Sequence, residues 1–143
     1  MIDINAPIIP YEGMGGIKLY STIKELKEIL SGDNVKATVL NNLWIRYDIE
    51  DYLHLFFNLV NGKLFRITTL NGYKGLLWNK ISVGMKAEEF IKIEPSFKYD
   101  DFEEVYECDK GVFIETDADE DKAIWISVYV KELDEDDFDE GNW

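Results

Sequence analysis

Two stretches of the chain repeat one pattern of apolar and polar positions, 64 residues apart. Ile17-Lys18-Leu19-Tyr20-Ser21-Thr22-Ile23-Lys24-Glu25-Leu26-Lys27-Glu28-Ile29 lies against Ile81-Ser82-Val83-Gly84-Met85-Lys86-Ala87-Glu88-Glu89-Phe90-Ile91-Lys92-Ile93. Apolar residues coincide at Ile17/Ile81, Leu19/Val83, Ile23/Ala87, Leu26/Phe90 and Ile29/Ile93, and Glu25 meets Glu89. In each copy a short alternating stretch gives way to a helical period. Ser21 is placed to cap the first helix, whose stripe is Ile23, Leu26, Ile29 and Leu30 and whose stop is Gly32. The second helix is expected from about Ala87 and must stop before Pro95.

Strand signals follow each helix. In the first half they cover Leu43–Tyr47, Tyr52–Leu59 and Lys63–Leu70, with Asn61-Gly62 as a two-residue turn. In the second half they cover Glu103–Cys108, Val112–Thr116 and Ala123–Val130, with turns at Asp109-Lys110-Gly111 and Asp117–Lys122. The expected fold class is α+β: tandem αβββ repeats forming an antiparallel sheet with helices packed on one face. The repeats span about 13–75 and 79–133 of a single domain, residues 1–133. Alternation sends Leu53, Leu55, Phe57 and Leu59 to one face and Tyr52, His54, Phe56 and Asn58 to the other. By the same rule Trp44 and Arg46 part from Leu43, Ile45 and Tyr47, and Trp125, Ser127 and Tyr129 part from Ile124, Ile126, Val128 and Val130. The mixed sets then form an uncovered face unless loops or the tail close over it as a second core. Tyr, Trp and Arg are enriched at protein interfaces, where they combine contact area with a polar tip.

Charge sharpens this picture. The 143 residues hold 15 basic and 29 acidic side chains, a net −14. Residues 1–80 are close to neutral at +1, whereas residues 81–143 carry −15. Seven acids and no base fall between Glu132 and Trp143. Such a block self-repels, so 134–143 is expected to be a flexible acidic tail. It is either a solubility device or an arm for a basic partner, with Phe138 and Trp143 as apolar anchors. A surface this acidic repels phosphate, which argues against direct contact with nucleic acid or anionic membrane. No run of apolar residues is long enough for a membrane span, the N-terminus lacks signal-peptide character, and a lone cysteine makes no internal disulfide. Cytoplasmic localisation is the expectation.

Catalytic chemistry is sparse. His54 is the single histidine, no G-x-S-x-G is present, and Cys108 sits between Glu107 and Asp109, whose charge discourages a thiolate. Asp117-Ala118-Asp119-Glu120-Asp121 begins like a calcium loop, but Lys122 and Val128 stand where the loop needs Gly and Glu. Gly13-Met14-Gly15-Gly16 lacks the lysine of a phosphate loop. The expectation is a non-enzyme without cofactor or metal.

The segment Pro10 to Leu30, with Gly13-Met14-Gly15-Gly16-Ile17-Lys18-Leu19, Ser21 and the helix, resembles the immunity proteins of bacterial polymorphic toxin systems, contact-dependent growth inhibition in particular. Lys80-Ile81-Ser82-Val83-Gly84-Met85 is its second copy, and Tyr20 stands where Gly is usual in the first. The tandem arrangement is similar to that of β-lactamase inhibitor protein, which grips its target with a concave aromatic sheet. The resemblance implies a toxin–antitoxin partnership: stoichiometric occlusion of a cognate toxin domain, a basic RNase or DNase. The expected partner-binding residues are Trp44, Arg46, Tyr52, Phe56, Asp117, Asp119, Glu120, Asp121, Trp125 and Tyr129. Two rival functions remain: an acidic nucleic-acid mimic that blocks a DNA-binding protein, and a small ligand-binding or enzymatic domain using the uncovered face as a pocket.

Overall fold

The computed structural model describes residues 1–143 and is mostly β. A two-stranded ribbon, β1 (Gly13–Met14) and β2 (Ile17–Lys18), precedes an eight-stranded antiparallel sheet. The large sheet is built from β3 (Val35–Leu40), β4 (Trp44–Ile49), β5 (Leu53–Asn58), β6 (Leu64–Thr69), β7 (Lys98–Asp100), β8 (Val105–Cys108), β9 (Val112–Thr116) and β10 (Ala123–Tyr129). Its order is β3-β4-β5-β6-β10-β9-β8-β7, so each half of the chain forms one four-stranded meander and the last strands of the two meanders pair. The helices are only α1 (Lys27–Leu30) and α2 (Ala87–Ile93).

This corrects the expected α+β class with helices covering a sheet face. Each repeat carries four strands, not three. The first strand of each meander was invisible to pattern because it is an edge strand, where alternation has no covered face to enforce it. The first helix shrinks for a reason of hydrogen bonding. Ser21 does not cap it; its carbonyl accepts from Leu64 N–H, and Ile23 N–H donates to the Gly62 carbonyl. Those groups belong to the sheet, so helix formation waits until they are past. The four-residue helix that remains has no side-chain cap; Thr22 closes the turn before it, with Glu25 N–H donating to Thr22 Oγ1 and Thr22 N–H donating to Glu25 Oε1. The expected Asn61-Gly62 turn is a longer loop, Leu59 to Gly62, closed by Asn58 N–H to the Lys63 carbonyl.

The duplication is carried by the backbone. Tyr20 N–H donates to Leu64 O, Leu64 N–H to Ser21 O and Ile23 N–H to Gly62 O. In the second repeat Gly84 N–H donates to Ala123 O, Ala123 N–H to Met85 O and Ala87 N–H to Asp121 O. The strands then match at an offset of 59: Leu55 pairs with Ile67 as Ile114 pairs with Ile126, and Tyr47 with Leu55 as Tyr106 with Ile114. Even the bulge repeats, with Phe65 and Ile124 the extra residues. Thr68 and Ser127 are equivalent under this offset and sit opposite each other where β6 meets β10, their hydroxyls 2.7 Å apart. That pair marks a pseudo-two-fold axis through the sheet.

One face of the sheet carries the core. Leu53, Leu55, Phe57, Leu64, Ile67, Ile114, Ile126 and Val128 are fully buried there. The lid over this face is mainly coil rather than helix: Ile8, Met14, Ile17, Leu19, Tyr73, Leu77 and Ile81 are buried in the same cluster, with Phe90 of α2 the main helical contribution. Gly13 makes this coil layer possible. Its φ is +150°, and a Cβ there would lie 2.0 Å from the Ile17 carbonyl oxygen.

The acidic tail is not free, contrary to expectation. It forms 3-10 turns at Lys131–Asp134 and Phe138–Glu140 and folds back onto the first repeat. Phe138 is 4% exposed, with its ring 5.0 Å from Phe65 and stacked on Trp143. Trp44 Nε1 donates to Asp139, Lys63 Nζ to the Trp143 carbonyl, and Tyr20 Oη to Glu132. Apolar burial and hydrogen bonds thus outweigh the self-repulsion that composition alone suggested. Phe138→Ala is expected to lower the free energy of unfolding in urea by about 3–5 kcal/mol. Phe102→Ala, at a residue 91% exposed, should leave it within about 0.5 kcal/mol.

Candidate functional site

The second face of the sheet is the candidate site. Cross-strand register arranges it in rows. One row runs Arg46, Phe56, Arg66, Tyr129 across β4, β5, β6 and β10. The next runs Asp48, His54, Thr68, Ser127, Phe113, Glu107, and Trp125 lies opposite Glu115 just beyond. The tail covers only the Trp44–Phe65 corner, and Tyr11 approaches Tyr129 at another, 6.4 Å between rings. Between these corners the face is open, and Trp125 is its most exposed aromatic at 38%.

Arg66 occupies the centre. Its guanidinium carbon lies 4.5 Å from the Phe56 ring centroid and 4.7 Å from that of Phe113, a cation held between two aromatic faces. Nε donates to Thr68 Oγ1 at 3.1 Å, and a terminal nitrogen lies 3.7 Å from Glu115. Burial pulls the Arg66 pKa down to about 10, against the pull of Glu115, so the group stays charged at neutral pH. Burial likewise raises the Glu115 carboxyl, and Arg66 opposes the rise. Arg46 is engaged differently, in a two-point bond to Asp48 at 2.7 and 3.2 Å. Asp48 also reaches His54 Nε2 at 3.2 Å.

The structure divides the ten expected partner-binding residues into groups. Arg46, Phe56, Trp125 and Tyr129 share the open face, with Phe56 as floor, since it is only 6% exposed. Trp44 begins on that face but lies under Phe138 and Asp139. Tyr52 precedes β5, and lies with Ile2, Ile29 and Ile49 around a groove away from the other nine. Asp117, Asp119, Glu120 and Asp121 form the β9–β10 hairpin beside Trp125. Asp119 and Glu120 project into solvent. Asp121 accepts from Tyr106 and Thr116, and Asp117 accepts from Lys122 N–H, so these two carboxylates shape the hairpin itself. Sequence reasoning missed Arg66, Phe113 and Glu115 as contributors. A lone arginine in the apolar run Leu64-Phe65-Arg66-Ile67 was the available signal for the first.

Acidic groups bracket this face at two ends that the pseudo-two-fold relates. The tail docks beside the Phe65 bulge, and the Asp117–Asp121 hairpin lies beside the equivalent Ile124 bulge. The charge asymmetry of the sequence therefore does not become a one-sided molecule, because the second half lends its tail to the first repeat.

No family model matches the chain, and no curated protein matches it. The fold is similar to that of a cysteine-rich secretory protein from Staphylococcus aureus, with a TM-score of 0.55 and 12% identity. The match covers 90% of this chain and 50% of that one, so the present chain spans about half its length. At that identity the similarity bears on architecture alone. No helix is long and apolar enough to cross a membrane.

His54 supplies a pH signature for the face. Burial lowers its pKa, Asp48 opposes this, and Arg46 and Arg66 add to it. The unfolded chain takes up its proton near pH 6.5 and the folded chain resists, so this contribution to stability is complete above about 6.5 and is lost as pH falls toward the folded value. Between about pH 7.5 and 5, wild-type stability should fall relative to His54→Gln. A gap between the two that stays constant, or that widens in favour of wild type on acidification, contradicts the assignment.

Proposed function

We propose that this chain is an immunity protein of the bacterial polymorphic toxin class, binding a cognate toxin domain one to one and occluding it. The observation that carries the reading is the open sheet face, with Arg66 clamped between Phe56 and Phe113 and Trp125 and Tyr129 beside it. A rigid sheet presenting aromatic and arginine side chains loses little conformational entropy on docking, which favours tight association. The acidic hairpin and tail at its two ends favour a basic partner, a nuclease domain, by speeding encounter and fixing orientation. The resemblance of the Pro10–Leu30 segment to immunity proteins points the same way. Inhibition by occlusion asks no catalytic group of the inhibitor. Cys108 suits that role, being buried with its thiol pKa raised, chiefly by burial.

The test is calorimetry with the basic toxin domain of a secreted protein encoded beside this chain. A 1:1 complex is expected, with affinity falling as salt rises. Trp125→Ala with Tyr129→Ala should weaken it by on the order of a hundredfold or more, chiefly through faster dissociation. Asp119→Asn with Glu120→Gln should mainly slow association. Unchanged affinity in the aromatic double variant overturns the sheet-face reading. A greater loss from the charge variant than from the aromatic one favours nucleic-acid mimicry instead.

A further inference from the structure

The duplication creates two equivalent outer strands, β3 and β7, and only one of them is protected. β7 is three residues long, Lys98–Asp100, with charges at both ends, and it runs into Asp101. Short length and alternating charge are the usual means of blunting a sheet edge. β3 has six residues, Val35-Lys36-Ala37-Thr38-Val39-Leu40, with one charge and no proline. No strand lies along its outer side. Its residues on the core side extend past the coil lid: Ala37 is exposed and Val39 is 57% exposed. A six-residue edge strand without a neighbour offers outward-facing N–H and C=O groups to another strand.

We propose that β3 is an interface between two copies of this chain, pairing antiparallel about Thr38 to join their sheets. Same-face geometry requires opposed residues to share a side, and a two-fold at Thr38 satisfies it. Thr38 then faces its own copy, a favourable cross-strand pair. Ala37 lies opposite Val39 on the core side, twice. Lys36 lies opposite Leu40, twice. Leu40 is the neighbour of Trp44, whose indole holds Asp139 of the acidic tail. Lys36 of one copy is thereby brought next to the tail of the other, at both ends of the joint. That complementarity selects a second copy as the occupant. The net charge of the whole chain, −14, opposes self-association. The edge joint leaves the open face of each copy free, so it is independent of the proposed function.

Sedimentation equilibrium of the full chain at high micromolar concentration tests this. The expected mass is twice 16.7 kDa. Ala37→Lys with Val39→Lys places like charges opposite each other and should weaken the dimer by on the order of a hundredfold, to a monomer. Both sites are exposed, and an unchanged circular dichroism spectrum with a cooperative melting transition confirms that the fold survives. Tyr99→Lys, on the exposed β7 edge, should leave the dimer intact. A wild-type chain that sediments only as a monomer overturns the proposal. So does a dimer that survives the β3 variant, or one that is broken by Tyr99→Lys.

Discussion

The pairing of β6 with β10 is the constraint from which the rest of the molecule follows. Each half of the chain yields a meander of four strands whose last strand would be an unprotected edge on its own. Joining these two strands removes both inner edges at once. The contact is specific: Thr68 and Ser127 share a hydrogen bond on the pseudo-two-fold, and Ile126 N–H donates to Thr69 Oγ1 at 2.8 Å. Polar groups this deeply buried must be satisfied, so they fix register as well as adding stability. On one side the joint brings Ile67 against Val128 in the core. On the other it sets Arg66 beside Tyr129 and builds the open face from both repeats. Neither repeat alone has that face.

The tail shows how the two repeats diverged within one frame. Tyr20 and Gly84 occupy equivalent positions, and both have left-handed backbone, with φ of 71° and 92°. Glycine meets that demand at no steric cost, whereas tyrosine loses roughly 1–2 kcal/mol there. What Tyr20 contributes in return is its ring and hydroxyl. The ring meets Trp143 edge-on at 6.0 Å, and the hydroxyl bonds Glu132. Burial first, and then Glu132, push its pKa up to about 12, so it remains a donor to that carboxylate. The tail is thus fastened by a residue whose own backbone is strained, and its acids are fixed at one end of the face. In the second repeat the same end of the structure carries the acidic hairpin instead.

Much of this was legible in the sequence, and the failures have identifiable physics. Alternation in Leu53–Asn58 and in Trp125–Tyr129 placed those strands and assigned their two faces, because burial on one side enforces a period of two. It misplaced Ile124, the extra residue of a bulge, where Ala123 takes the core side instead. The helical repeat around Phe90 fixed α2. Similar periodicity around Leu26 overstated α1, since Ile23 N–H donates to Gly62 O and Ser21 O accepts from Leu64 N–H, partners more than thirty residues away in sequence. Local pattern cannot report such a competitor. The strands at Val35–Leu40 and Lys98–Asp100 escaped notice because edge strands bury too little to impose a pattern. Net charge suggested a disordered tail, and only the seat formed by Trp44, Phe65 and Tyr20 shows why Phe138 overrides it. Tyr52 followed the alternation rule in name but lies outside β5, where the rule no longer applies.

Native-state hydrogen exchange tests the central role of the β6–β10 joint most directly. If the two repeats are one cooperative unit held at that joint, the amides of Ile67, Ile126 and Val128 exchange only through global unfolding. Their opening free energies then coincide with one another and with the unfolding free energy measured in urea, while those of β3 and β7 are lower. Distinct opening free energies for the core amides of the first and second repeats, with β6 and β10 exchanging early, would contradict the account.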